Sequence, residues 1–154
     1  MSKGDWRGRL RACFENIEIL ERCRLETHEN FKQFCEFIAE PAFETLVEEL
    51  KGYGIKAKFG TLKGSSIYLQ ISFPHSKADH FHYIVSLPKN SIELKLRLRI
   101  RGRKTTKGPW QEREESFLSE LPPDKVMKIS KEELIEDVIE HYKNFTLKAL
   151  ASSD

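Results

Sequence analysis

Phe81-His82-Tyr83-Ile84-Val85-Ser86-Leu87-Pro88-Lys89-Asn90-Ser91-Ile92-Glu93-Leu94-Lys95-Leu96-Arg97-Leu98-Arg99-Ile100 is the stretch whose reading decides the fold. Phe81, Tyr83, Val85 and Leu87 alternate with His82, Ile84 and Ser86. Ile92, Leu94, Leu96, Leu98 and Ile100 alternate with Glu93, Lys95, Arg97 and Arg99. A period of two marks a strand with one buried face. Pro88 to Ser91 reads as a four-residue turn, so the stretch is expected to be an antiparallel hairpin. Symmetric closure would set Phe81 opposite Leu98, Tyr83 opposite Leu96, Val85 opposite Leu94 and Leu87 opposite Ile92. Each pair is apolar on both sides, which makes this register self-consistent.

The same period extends upstream, where Ile55, Ala57 and Phe59 alternate with Lys56 and Lys58, and Ile67, Leu69, Ile71 and Phe73 alternate with Tyr68, Gln70 and Ser72. Downstream, Gly102 to Gly108 reads as a basic loop, and Trp110 to Leu121 as a fifth, edge strand with weak alternation. Pro122-Pro123 then interrupts the chain.

Helical spacing takes over at both ends. Cys13, Ile17, Leu20, Arg24, Thr27, Phe31, Phe34 and Ile38 step by four and three, predicting a long first helix. Such a helix, ~28 residues and ~42 Å, exceeds the width of a domain this size, so part of it should protrude. Pro41 suits the first position of a second helix, with Phe43, Leu46, Val47 and Leu50 as its apolar stripe and Gly52 and Gly54 at its end. Ser130-Lys131-Glu132-Glu133 is a capping box that opens a last helix, whose stripe is Leu134, Val138, Ile139, Tyr142, Phe145 and Leu150.

The expected fold class is therefore α+β. Two N-terminal helical segments, a four- to five-stranded antiparallel meander and a C-terminal helix form a single domain over 1–154, with 1–9 and 151–154 frayed. The helices cover one face of the sheet and leave the other open. With 154 residues, 39% hydrophobic and 10% aromatic, the composition suits a packed core and excludes a collagen-like or disordered chain. No apolar run approaches a membrane span, and Met1 to Trp6 carries no secretory signature, so the expected location is cytoplasmic. Cys13, Cys23 and Cys35 are odd in number and show no C-x-x-C spacing, which argues for thiols that simply pack.

Charge is distributed unevenly. Residues 53–109 hold 12 Lys and Arg against 2 Asp and Glu, while 1–52 hold 8 against 11 and 110–154 hold 6 against 11. The cations of the middle third recur at every second position. Lys56, Lys58, Tyr68, Gln70, Ser72, His80, His82, Lys95, Arg97, Arg99 and Arg101 thus share the polar face of the sheet. Such a face suits a polyanion, nucleic acid foremost, with cations on phosphates and Tyr68 and the histidines stacked on bases. The competing reading is internal. If Trp110 to Leu121 lies beside the arginine strand, Glu112 and Glu114 fall near Arg101 and Arg99 and neutralise part of the patch.

Catalytic constellations are weak. Asp79 with Glu93-Leu94-Lys95 matches the D…ExK pattern of magnesium nucleases, but Glu93 and Asp79 would lie about 23 Å apart along the strand, far beyond shared metal ligation. His75, Asp79, His80 and His82 resemble a metal cluster, yet Arg97 and Arg99 beside them would repel a cation. No phosphate loop or nucleophile elbow is present. The expectation is a non-enzymatic binding or regulatory module needing no metal or cofactor. The alternative is a protein-interaction module that binds an acidic partner and forms a homodimer through Ile17, Leu20, Leu25 and Phe31 of the first helix.

Overall fold

The computed structural model describes residues 4–72, 81–103 and 109–151. The chain begins with helix α1 (Trp6–Phe34), passes through a π-helical turn (Cys35–Ala39) and continues as α2 (Glu40–Lys51). Five strands follow: β1 (Ala57–Leu62), β2 (Ser66–Ile71), β3 (Phe81–Ser86), β4 (Arg97–Gly102) and β5 (Gln111–Ser116). A 3-10 turn at Pro123–Lys128 leads to helix α3 (Lys131–Ala151). The strands form one antiparallel sheet in sequence order, β1-β2-β3-β4-β5, which is the expected α+β meander.

The break expected before Pro41 is absent. Helical segments of 29, 5 and 12 residues follow one another without a gap, a rod of about 69 Å at ~1.5 Å per residue. Proline has no N–H to give and crowds the carbonyl four residues before it. Here the Glu40 N–H reaches back five residues to the Cys35 carbonyl, so one wide turn directly before Pro41 absorbs the misfit. α3 opens as its sequence suggests, with Ser130 Oγ accepting the Glu133 N–H at 3.1 Å.

The β3–β4 pairing corrects the expected register. Tyr83 faces Ile100 and Val85 faces Leu98, a slip of four residues along β4, and residues 87–96 connect the strands in place of a four-residue turn. The slip is even, so every side chain keeps its face. Leu94 and Leu96 are buried although they lie outside the ladder, which is why the alternation of the sequence runs on past the strand. Ile92, expected to pair with Leu87, is 45% exposed.

The core lies between one sheet face and the helices. Phe31, Phe34, Phe43, Phe81, Tyr83 and Phe117 are all but fully buried there, with Leu134 and Val138 of α3 closing the layer. The rings of Phe43 and Tyr83 meet edge to face, as do those of Phe34 and Phe117. Two stripe assignments change. Ile139 is 49% exposed, and Phe31, expected on a self-association face, is 1% exposed and belongs to the core. From Gly4 to Arg22 every residue of α1 and its lead-in is exposed, so this part of the helix stands clear of the domain.

Candidate polyanion-binding face

The outer sheet face is built in rows by the strand register. Lys58, Gln70, His82, Arg101 and Glu112 face one another across β1 to β5. The next row is Gly60, Tyr68, Ile84, Arg99 and Glu114, and the third Leu62, Ser66, Ser86, Arg97 and Ser116. In the second row Tyr68 lies over Gly60, where a Cβ would stand 3.1 Å from the tyrosine Oη; the glycine gives the ring a flat seat. Ile84 is buried on this outer face between Tyr68 and Arg99, the residues opposite it on either side.

Among the described residues, Arg97 and Arg99 are matched by acids of β5. Glu114 and Glu112 stand opposite Arg99 and Arg101 as the sequence suggests, but the side chains reach along the diagonal. Arg97 Nε lies 3.3 Å from Glu114 Oε1, and Arg99 Nε lies 3.1 Å from Glu112 Oε1. Arg97 Nη1 also donates to Ser116 Oγ at 3.2 Å. All four side chains are between 38% and 53% exposed, so each ion pair is worth at most ~1 kcal/mol.

Arg101 and Arg103 stack on an aromatic ring. The Arg101 and Arg103 guanidiniums sit over the Trp110 ring, 4.4 and 4.7 Å from its centroid, and His82 approaches the same ring at 5.7 Å. Stacking holds the guanidiniums in place and leaves their charge intact. Lys56 and Lys58 are exposed across the sheet, where with Ala57, Gln70 and Ser72 they line a shallow hollow of about 230 Å³. The face is thus divided: a neutralised part around Arg97 and Arg99, and a cationic, aromatic end made by Lys56, Lys58, Arg101, Arg103, Tyr68, His82 and Trp110.

Lys95 does not join it through the ladder, lying exposed in the 87–96 connection together with Glu93. His75, Asp79 and His80 lie outside the described residues, so the suggested metal cluster and the Asp79 corner of the D…ExK pattern do too. Among the described residues, no group of three or more His, Cys, Asp and Glu is placed to hold a metal ion. None of their helices is long and apolar enough to cross a membrane. Trp110 is the residue sequence reasoning left unassigned; its signal is its parity, two residues before Glu112 on the outward side of β5.

The inner face carries a second polar group that periodicity did not single out. Tyr83 Oη donates to Asp137 Oδ2 at 2.5 Å. His141 Nε2 lies 3.6 Å from Asp137 and 3.7 Å from Glu115, while Arg113 Nη2 lies 3.1 Å from His141 Nδ1 and 3.3 Å from Glu115 Oε1. Arg113 can only donate, so Nδ1 accepts and the imidazole proton sits on Nε2, between the two carboxylates. Burial foremost, then the Asp137 charge and hydrogen bond and the Glu115 charge, holds the Tyr83 hydroxyl well above its ordinary pKa of 10.0. The network ties α3 to β3 and β5. Cys35 is no nucleophile at neutral pH, since burial and then the Glu40 charge push its pKa up to about 12. No protein-family model, curated protein sequence or solved structure matches this chain.

Proposed function

We propose that the protein is a non-enzymatic binding module that takes a polyanion, single-stranded nucleic acid foremost, on the cationic end of its outer sheet face. One observation carries the reading: a registered row, Lys58, Gln70, His82 and Arg101, crosses four strands of a face that no helix of the described residues covers, with Trp110 stacked beside it. At ~4.8 Å per strand the row is about 14 Å wide. Lys56, Lys58 and Arg101 take phosphates, and Tyr68 and Trp110 offer ring faces on which bases of any sequence stack. Arg97 and Arg99 are committed to Glu114 and Glu112 and contribute little, which narrows the expected platform to its Lys58–Arg101 end.

The test is fluorescence anisotropy with a labelled single-stranded oligonucleotide. Binding is expected at ~50 mM salt and falls steeply by ~200 mM, as counterion release requires. A protein that ignores the oligonucleotide at ~50 mM salt, where electrostatic attraction is strongest, contradicts the proposal.

A further inference from the structure

Among the described residues, no other element packs on the first half of α1. Trp6, Leu10, Cys13, Ile17 and Leu20 step by four and three along one face, and Phe14 flanks them. Trp6, Leu10, Phe14, Ile17 and Leu20 are between 43% and 61% exposed. The same stripe continues into Thr27 and Phe31, which are buried in the core. One helix face is therefore covered at its C-terminal end and bare over the preceding ~21 Å. Monomeric proteins rarely leave so long an apolar stripe open.

The arm has few of the local features that hold a lone helix, one being the Arg7 guanidinium 4.8 Å over the Trp6 ring. Asp5 makes no side-chain cap bond, and the first turn carries no acid. Arg7, Arg9 and Arg11 instead crowd the N-terminus, where the helix dipole disfavours cations. Among the described residues, the ion pair that supports this arm is Arg22 with Glu18, at 3.9 Å and with both side chains 73% exposed. A helix so poorly supported in water draws its stability from packing.

We infer that a second copy of this chain covers the arm, in an antiparallel helix pair. The charge pattern selects both occupant and direction. Residues 5–11 carry Arg7, Arg9 and Arg11 against Asp5, and residues 15–21 carry Glu15, Glu18 and Glu21, with Arg22 paired back to Glu18 and Arg24 beyond. A parallel copy would set like charges side by side; an antiparallel copy sets each half against its opposite. The apolar spacing then fixes the register. With Leu10 beside the partner's Leu20, Cys13 meets the partner's Ile17 and Phe14 lies near the partner's Phe14 at the twofold axis. Arg7 then flanks the partner's Glu21, and the contact occurs twice. This register sets Trp6 on the partner's Arg24, a guanidinium–indole contact, whereas a shift by one heptad sets Cys13 on Arg24 or leaves Leu20 unpaired. Leu25 falls about 100° round from the stripe at Arg24, so it lies off this interface. Anionic lipid is a poorer occupant, since Glu18 and Glu21 flank the same stripe.

The interface is distinct from the sheet face, so its test is independent of nucleic acid. Sedimentation of the full chain at tens of micromolar is expected to give a species of twice the 18.0 kDa chain mass. Leu10→Glu with Phe14→Glu should weaken the dimer by about a hundredfold or more, because each charge would be buried unpaired. The arm adds nothing to the core, so the melting of the domain should persist in this monomer. Arg7→Glu alone should weaken the dimer about tenfold, and Arg7→Glu with Glu21→Arg should restore it. A single 18.0 kDa species at all concentrations overturns the inference, as does a dimer indifferent to Leu10→Glu with Phe14→Glu. Binding of the arm to anionic vesicles in place of self-association overturns it too. A charge exchange that fails to restore the dimer overturns the antiparallel register.

Discussion

The two faces of the sheet use charge in opposite ways. On the inner face Tyr83 is fully buried and its hydroxyl is committed to Asp137, whose carboxylate also meets His141 beside Glu115 and Arg113. On the outer face Arg97 and Arg99 meet Glu114 and Glu112 at similar distances but in water. The lesson is one of environment: the fully buried Tyr83 hydroxyl cannot exchange Asp137 for water, whereas Arg113 and Glu115, 59% and 42% exposed at the rim of the same network, are as wet as the outer pairs. A charge that matters for stability lies inside, and a charge whose loss costs little lies outside.

The largest effect expected is apolar. Phe34→Ala, at the end of α1 where the ring has no exposure and packs between Phe31 and Phe117, should cost about 3–5 kcal/mol in denaturant unfolding. Next comes the inner network, where Asp137→Ala strands the Tyr83 hydroxyl and should cost about 1–3 kcal/mol. If Asp137→Ala costs no more than an outer-face substitution, the contrast between the faces fails.

pH sharpens the same contrast. Tyr83 has a folded pKa well above 10.0, and Tyr142 is also raised, chiefly by burial. For a group raised in the folded state, the unfolded chain ionises first. Its contribution is therefore complete below about pH 10 and is lost progressively as pH climbs from there toward the folded pKa. Tyr83→Phe should be less stable at pH 7 but lose less stability between pH 9 and 11 than the wild type, by alkaline melting. Equal losses in both proteins would place the alkaline sensitivity elsewhere.

The smallest effect is on the outer face. Arg97→Gln or Arg99→Gln alone should change stability by ~1 kcal/mol or less, since both ion pairs are about half exposed. A loss of several kcal/mol would mean that these pairs hold the sheet together.

Much of this arrangement is legible in the residues, and the exceptions have causes. Alternation at Phe81–Val85 and Leu98–Ile100 identifies strands and faces because burial on one side imposes it. The same alternation misleads at Leu94 and Leu96, since a connection lying on the core also buries every second residue. Asn90, with φ of +71°, marks that irregular path, but a lone asparagine is common in short turns as well. Pro41 misleads because a π turn is invisible to apolar spacing. On the outer face, the opposition of Glu112 and Glu114 to the arginines could be reasoned from β5, whereas the diagonal reach of the side chains could not. The inner network stayed hidden because Arg113 and Glu115 read as edge-strand polarity, and Asp137 and His141 as the wet side of α3.

The central claim, that the Lys58–Arg101 end holds a polyanion while the Arg97–Arg99 part does not, rests on one comparison of salt dependence. Two variants are titrated with the same single-stranded oligonucleotide from ~50 to ~200 mM salt: Lys58→Gln with Arg101→Gln, and Arg97→Gln with Arg99→Gln. The first should bind more weakly and flatten the slope of log affinity against log salt by about 1.4, at ~0.7 per lost phosphate contact. The second should keep the wild-type slope. Equal flattening in both variants, or a first variant that binds as the wild type does, would contradict the account.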